Sequence, residues 1–191
     1  LVRAYPELLG ESVRELLRQF GWATPEQARE WAEHFPESTA KADGIQMAVS
    51  TMAQQNPQGA AAWVLEMAPG EGQDYAYRNL IDVWSRYDLA GAQTWISELE
   101  PGNGRQIAVE EFVRSNALRA GDLTWELASQ SSDPDSRLVM QALTIEGWVQ
   151  RDPKGAQQAI EAMDVVPTML QDQFNQALKV REIWEALFAS P

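Results

Sequence analysis

Apolar and polar positions along this chain keep a helical beat, and the beat itself recurs. The stretches NPQGAAAW (Asn56–Trp63), DLAGAQTW (Asp88–Trp95) and DPKGAQQAI (Asp152–Ile160) share one grammar: a short polar residue, then Gly-Ala, then a large apolar group. A short polar side chain at the head of a helix accepts hydrogen bonds from the free N–H groups of the first turn, and Pro fits directly after it because its missing N–H is not needed there. Asn56, Asp88 and Asp152 therefore read as helix N-caps, with Pro57 and Pro153 behind two of them. Thr24-Pro25-Glu26-Gln27 is a capping box with Pro at the first helical position, and Asn116 reads as a fifth cap. The caps at 24, 56, 88, 116 and 152 are separated by 32, 32, 28 and 36 residues, a mean of 32.

The columns around these caps fix the elements. Four residues after each cap stand Ala28, Ala60, Ala92, Ala120 and Ala156; seven after stand Trp31, Trp63, Trp95, Leu123 and Ala159. With the apolar positions eight and eleven after the cap, these form one face of a helix, helix B. Four residues before each cap stand Phe20, Met52, Trp84, Phe112 and Trp148; seven before stand Leu17, Val49, Ile81, Val109 and Ile145. These define a preceding helix A that runs almost directly into the cap. Pro36, Pro69-Gly70, Pro101-Gly102, Pro134 and Pro167 then break the chain between helix pairs. The longer loop Gln130–Ser136 accounts for the uneven 28 and 36.

The pattern predicts an all-α chain in one domain, 1–191: five helical hairpins at about 7–36, 38–68, 74–100, 105–129 and 136–165, and a capping helix at 170–188. A hairpin of this size cannot bury its own apolar face, so neighbours stack and share a core. The expected architecture is a right-handed α-solenoid. Three residues after the cap, Gly59, Gly91 and Gly155 accompany Met52, Trp84 and Trp148 four before it. The expectation is that the bulky group of helix A lies over the first turn of helix B and needs a missing side chain there.

Over about residues 7–165 this pattern resembles the α-solenoid class in the tetratricopeptide, Sel1-like and HEAT-like sense, and the W…DP.GA..W repeats of bacterial proteins. The Gly-Tyr pair and longer period of the tetratricopeptide consensus are absent, so no binding residues carry over. The resemblance implies a protein- or peptide-binding scaffold.

Composition changes this picture in three ways. Twenty-eight acidic residues face fifteen basic ones, a net charge of −13. Such a surface repels phosphate backbones and anionic lipid, which argues against nucleic acid and membrane and favours a protein or peptide partner, a basic one included. The chain has no Cys, which removes disulfides, thiolate metal sites and Cys nucleophiles, and fits cytoplasm and periplasm alike. The first residue is Leu1, which reads as a fragment or processed chain whose upstream signal or anchor would lie outside it.

Candidate chemistry is thin. Ser38-Thr39-Ala40-Lys41 matches the S-x-x-K nucleophile signature, but the S-D-N and K-T-G partners of that signature are missing. His34 is the only histidine, and a lone His cannot build a nitrogen-ligand metal site. The carboxylate pairs Glu110-Glu111 and Asp133/Asp135 are commonplace in so acidic a chain. No catalytic set, cofactor site or metal site is expected. Binding fits better. Six before the cap stand Asp82, Glu110 and Glu146, which in-register stacking would set as a carboxylate ladder on successive A helices. Trp22 and Trp125 stand off the core columns and read as candidate interface anchors. The expected function is a non-catalytic binding scaffold; the second expectation is a helical accessory or toroidal domain of a carbohydrate-active or cell-wall enzyme.

Overall fold

The structure, a computed structural model, describes residue 30 and residues 39–188. The hairpin expected over 7–36, with its cap at Thr24, and Trp22, His34 and Ser38 lie outside the described residues. Among the described residues the chain is all-α, with nine helices and no strand. They are α1 (Thr39–Gln55), α2 (Pro57–Glu66), α3 (Glu71–Tyr87), α4 (Leu89–Glu98), α5 (Asn103–Asn116), α6 (Gly121–Ser129), α7 (Pro134–Arg151), α8 (Pro153–Glu161) and α9 (Thr168–Phe188). The chain divides into two compact units at Leu89 and Ala90.

One residue joins α1 to α2, α3 to α4 and α7 to α8, and residues 117–120 join α5 to α6; the last residue of each connection is the hinge. Asn56 (φ −150°, ψ 84°), Asp88 (−142°, 84°), Ala120 (−147°, 59°) and Asp152 (−139°, 79°) share one non-helical conformation. Each donates its backbone N–H back to helix A: Asn56 to Met52 O at 2.7 Å, Asp88 to Trp84 O at 2.9 Å, Ala120 to Asn116 O at 2.9 Å and Asp152 to Trp148 O at 2.8 Å. The carbonyls of Asn56, Ala120 and Asp152 accept the first bond of helix B, from Ala60, Thr124 and Ala156. The side chains of Asn56 and Asp152 also cap helix B, accepting from Gly59 N and Gly155 N at 2.9 Å.

The fourth hinge corrects the sequence reading. Asn116 is not a cap; it is the last residue of α5, buried, with Nδ2 donating to Phe112 O at 2.8 Å and Oδ1 accepting from Arg119 Nε at 2.7 Å. The hinge is Ala120, four residues on, so the described hinges fall at 56, 88, 120 and 152, a uniform step of 32. Recounted from these hinges, the columns are deeply buried. Val49, Ile81, Val113 and Ile145 stand seven before; Ala60, Ala92, Thr124 and Ala156 four after; Val64, Ile96, Ala128 and Ile160 eight after.

The glycine expectation is corrected in part. A Cβ on Gly59 would lie 2.7 Å from Asn56 Nδ2, with Met52 not among its near neighbours, and a Cβ on Gly155 would overlap the Asp152 carboxylate before meeting Trp148 Cζ2 at 3.1 Å. The cap side chain, more than the bulky residue of helix A, needs the space. Gly→Ala in a helix ordinarily raises stability by up to about 1 kcal/mol, whereas losing a cap costs up to about 2 kcal/mol and the Trp148 ring must give as well. Gly155→Ala is therefore expected to lower the urea midpoint in the native sequence and to raise it when Asp152 is already Ala. Equal shifts in the two backgrounds would reject the cap account.

In the first unit α1 packs on α2 and α3, and α2 on α3; Gln73 Nε2 of α3 donates to Val64 O of α2 at 2.9 Å. In the second unit α5 packs on α6 and α7, α7 on α6, α8 and α9, and α8 on α6 and α9. One cluster there joins Ile145 and Val149 of α7, Ala156 and Ile160 of α8, and Phe174 and Ala177 of α9, with Trp125, Trp148, Val166 and Leu178 packed against it. The Thr144 hydroxyl is buried in α7 without a hydrogen-bond partner. An unmade buried hydrogen bond costs about 1–3 kcal/mol. Thr144→Val keeps the shape and removes the hydroxyl, so thermal unfolding should move upward by an amount corresponding to about 1 kcal/mol; a lower midpoint would show that the hydroxyl is satisfied.

Candidate functional site

The carboxylates singled out in the sequence sit in separate settings. Asp82 of α3, in the first unit, is half-buried and pairs with Arg86 at 2.6 Å, one helical turn on. That pairing, a hydrogen bond first and a charge attraction second, raises the Arg86 pKa. In the second unit Glu110 of α5 accepts from Gln106 Nε2 at 3.0 Å, and Glu146 of α7 accepts from Gln173 Nε2 of α9 at 3.3 Å. Counted from the Ala120 hinge, Glu110 stands ten before it, and the position six before is Arg114. The hinge shift thus removes the register that would have placed Glu110 in one column with Asp82 and Glu146.

Trp125 of α6 is half-buried and packs against the α7–α8–α9 cluster, so its ring belongs to the core margin. Glu111 is buried and held by the Arg114 guanidinium and by Ser115 Oγ at 2.8 Å. Asp133 caps α7, accepting from Ser136 N at 2.9 Å. Hydrogen bonds from Ser136, with Arg137 nearby, hold the Asp133 carboxyl below the usual carboxylate range. Both pairs noted in the sequence, Glu110-Glu111 and Asp133/Asp135, thus contain a member with a structural partner. Among the described residues no group of His, Cys, Asp and Glu could hold a metal ion, and no helix is long and apolar enough to cross a membrane.

Sequence reasoning missed a cleft in the second unit. It opens between the start of α5, the end of α6 and the loop leading into α7, with a volume of about 330 Å³. Its floor is apolar: Val109, Leu127 and Met140, all buried. Its rim is polar: Arg105, Gln106, Gln130, Ser131 and Asp133 among others. Arg105 is held across the rim, donating Nη2 to Gln130 Oε1 at 3.0 Å, and Arg137 Nη1 donates to Ser131 O at 2.8 Å, fixing the loop. Gln106 is shared between the rim and Glu110, which sets that carboxylate beside the opening. The signals for the cleft were the Pro101-Gly102 break and the long Gln130–Ser136 loop, both of which read only as connections. An apolar floor under a fixed polar rim suits one apolar side chain whose flanking backbone finds donors and acceptors at the edge.

No family model, curated protein or solved structure matches this chain.

Proposed function

We propose that the chain is a non-catalytic scaffold that binds a protein or peptide along a helical-repeat array, a right-handed α-solenoid of about five hairpins ending in α9. The observation that carries this reading is the 32-residue recurrence of one hinge conformation at 56, 88, 120 and 152, with the same columns buried around each. Chains of this kind use the long surface that repetition generates. The Glu111 and Asp133 carboxylates are engaged in structural contacts, which assigns them to the fold. In the second unit, the α5–α6–α7 cleft takes an apolar side chain of an extended partner, and Glu110 beside it and Glu146 on α7 favour a basic one. Asp82 in the first unit is a further acidic contact; Trp22 and Trp125 are anchors of lower rank, since Trp125 is committed to packing.

The test is affinity capture from lysate with the native chain and with Asp82, Glu110 and Glu146 each changed to Lys. A basic protein retained by the first and lost from the second supports the reading. Identical captured profiles would remove the acidic surface from it.

A further inference from the structure

Helix α9 has two faces. Leu170, Phe174 and Ala177 are buried, and Leu178 packs on the α7–α8–α9 cluster. Arg181 Nη1 donates to the carbonyls of Val149 at 3.1 Å and Gln150 at 3.3 Å, closing the end of α7. The helix was expected to be a cap throughout, and a cap has a polar outer face. Its last turns depart from that. Val180, Ile183, Trp184, Leu187 and Phe188 are 44%, 59%, 57%, 66% and 70% exposed. At about 100° per residue these five fall in one arc roughly 140° wide, turned about 90° from the buried face. Trp184 and Phe188 stack within it, ring centroids 4.8 Å apart and 14° from parallel.

We propose that this stripe pairs, antiparallel, with the same stripe of a second copy, about a two-fold axis near Trp184. Three observations select a second copy. Trp184 stands midway between Val180 and Phe188, so a two-fold there sets one end of the stripe on the other, the self-complementary contact that closes a dimer. With roughly 200 Å² for each large apolar residue, the exposed fractions amount to about 600 Å² per copy and about 1,200 Å² per pair, which enters the range of specific interfaces. The charges of this segment cancel, Lys179 and Arg181 against Glu182 and Glu185, in a chain of net charge −13. Two copies repel over most of their surfaces and least at this stripe. The proposal is independent of the binding reading above, because it uses no residue of the cleft.

Sedimentation equilibrium of the 191-residue chain between about 1 and 200 µM tests it. The expected mass rises with concentration towards twice 21.4 kDa, and added salt strengthens the association by screening the net charge. Ile183→Glu with Leu187→Glu should weaken association by about 100-fold or more, with an unchanged melting curve because both side chains are exposed. A second readout does not depend on that variant folding. The chain lacks Cys, so Trp184→Cys is the sole thiol and should form a disulfide-linked dimer under mild oxidation, whereas Tyr87→Cys, exposed outside the stripe, should not. A native chain that stays monomeric to 200 µM, a dimer that survives the two Glu substitutions, or equal cross-linking at 184 and 87 would each overturn the proposal.

Discussion

Phe112→Ala should lower the free energy of unfolding by about 3–5 kcal/mol. Phe112 is fully buried in α5, eight residues before the Ala120 hinge, in the column shared with Leu80 and Thr144. Truncation removes the transfer free energy of the ring and leaves a cavity, because a close-packed interior relaxes only in part. A domain of this size is stable by about 5–15 kcal/mol, so the loss is a large share of the whole. Urea denaturation followed by circular dichroism reads it directly. A loss below about 1 kcal/mol would mean that α5 is not part of a packed core.

The second large effect runs against helix propensity. Gly147 lies inside α7, where Gly→Ala normally raises stability by about 1 kcal/mol. Here a Cβ would stand 2.8 Å from the carbonyl carbon of Ala117 and 2.8 Å from the nitrogen of Leu118, both backbone atoms at the end of α5. Backbone cannot rotate aside, so the helices must part, and Gly147→Ala is expected to destabilise by about 1–3 kcal/mol. A Cβ on Gly121, across the same contact, would overlap the Trp148 indole. Two glycines, one from each partner, thus let α7 lie against the turn that carries the Ala120 hinge. Gly72→Ala in α3 is the control: its Cβ would meet only Ile45 Cδ1 at 3.3 Å and Met67 Cε at 4.0 Å, the tips of flexible side chains, and stability should hold or rise. A gain at Gly147 equal to that at Gly72 would reject the close approach.

The helices were legible in the sequence because the hinges mostly announce themselves. Asn56 and Asp152 carry a capping side chain and a following Pro, and their positions stand as read. Ala120 carries neither, while Asn116 has the right chemistry in the wrong place. The apolar columns could not expose the error. At about 100° per residue, four residues return to within about 40° of the same face. Val109 and Val113, and Ala108 and Phe112, are accordingly all buried, and either register yields apolar columns. The slip mattered only for polar positions, where it exchanged Glu110 for Arg114 and produced an apparent carboxylate column. The cleft was illegible for a different reason. Its floor residues are ordinary core positions, and its opening depends on how far the Gln130–Asp133 loop stands from α5, which no local pattern encodes. The exposed stripe of α9 was visible as apolar residues at 180, 183, 184 and 187, but periodicity does not say which of two adjacent arcs is covered.

Residue-resolved amide exchange under native conditions bears most directly on the repeat itself. The slowest amides should cluster around Ile81, Val113 and Ile145 and again around Ile96, Ala128 and Ile160, with fast exchange in the connections near 69, 101, 133 and 165, each series stepping by 32 residues. Protection concentrated in one block of the chain, or maxima without that step, would contradict it.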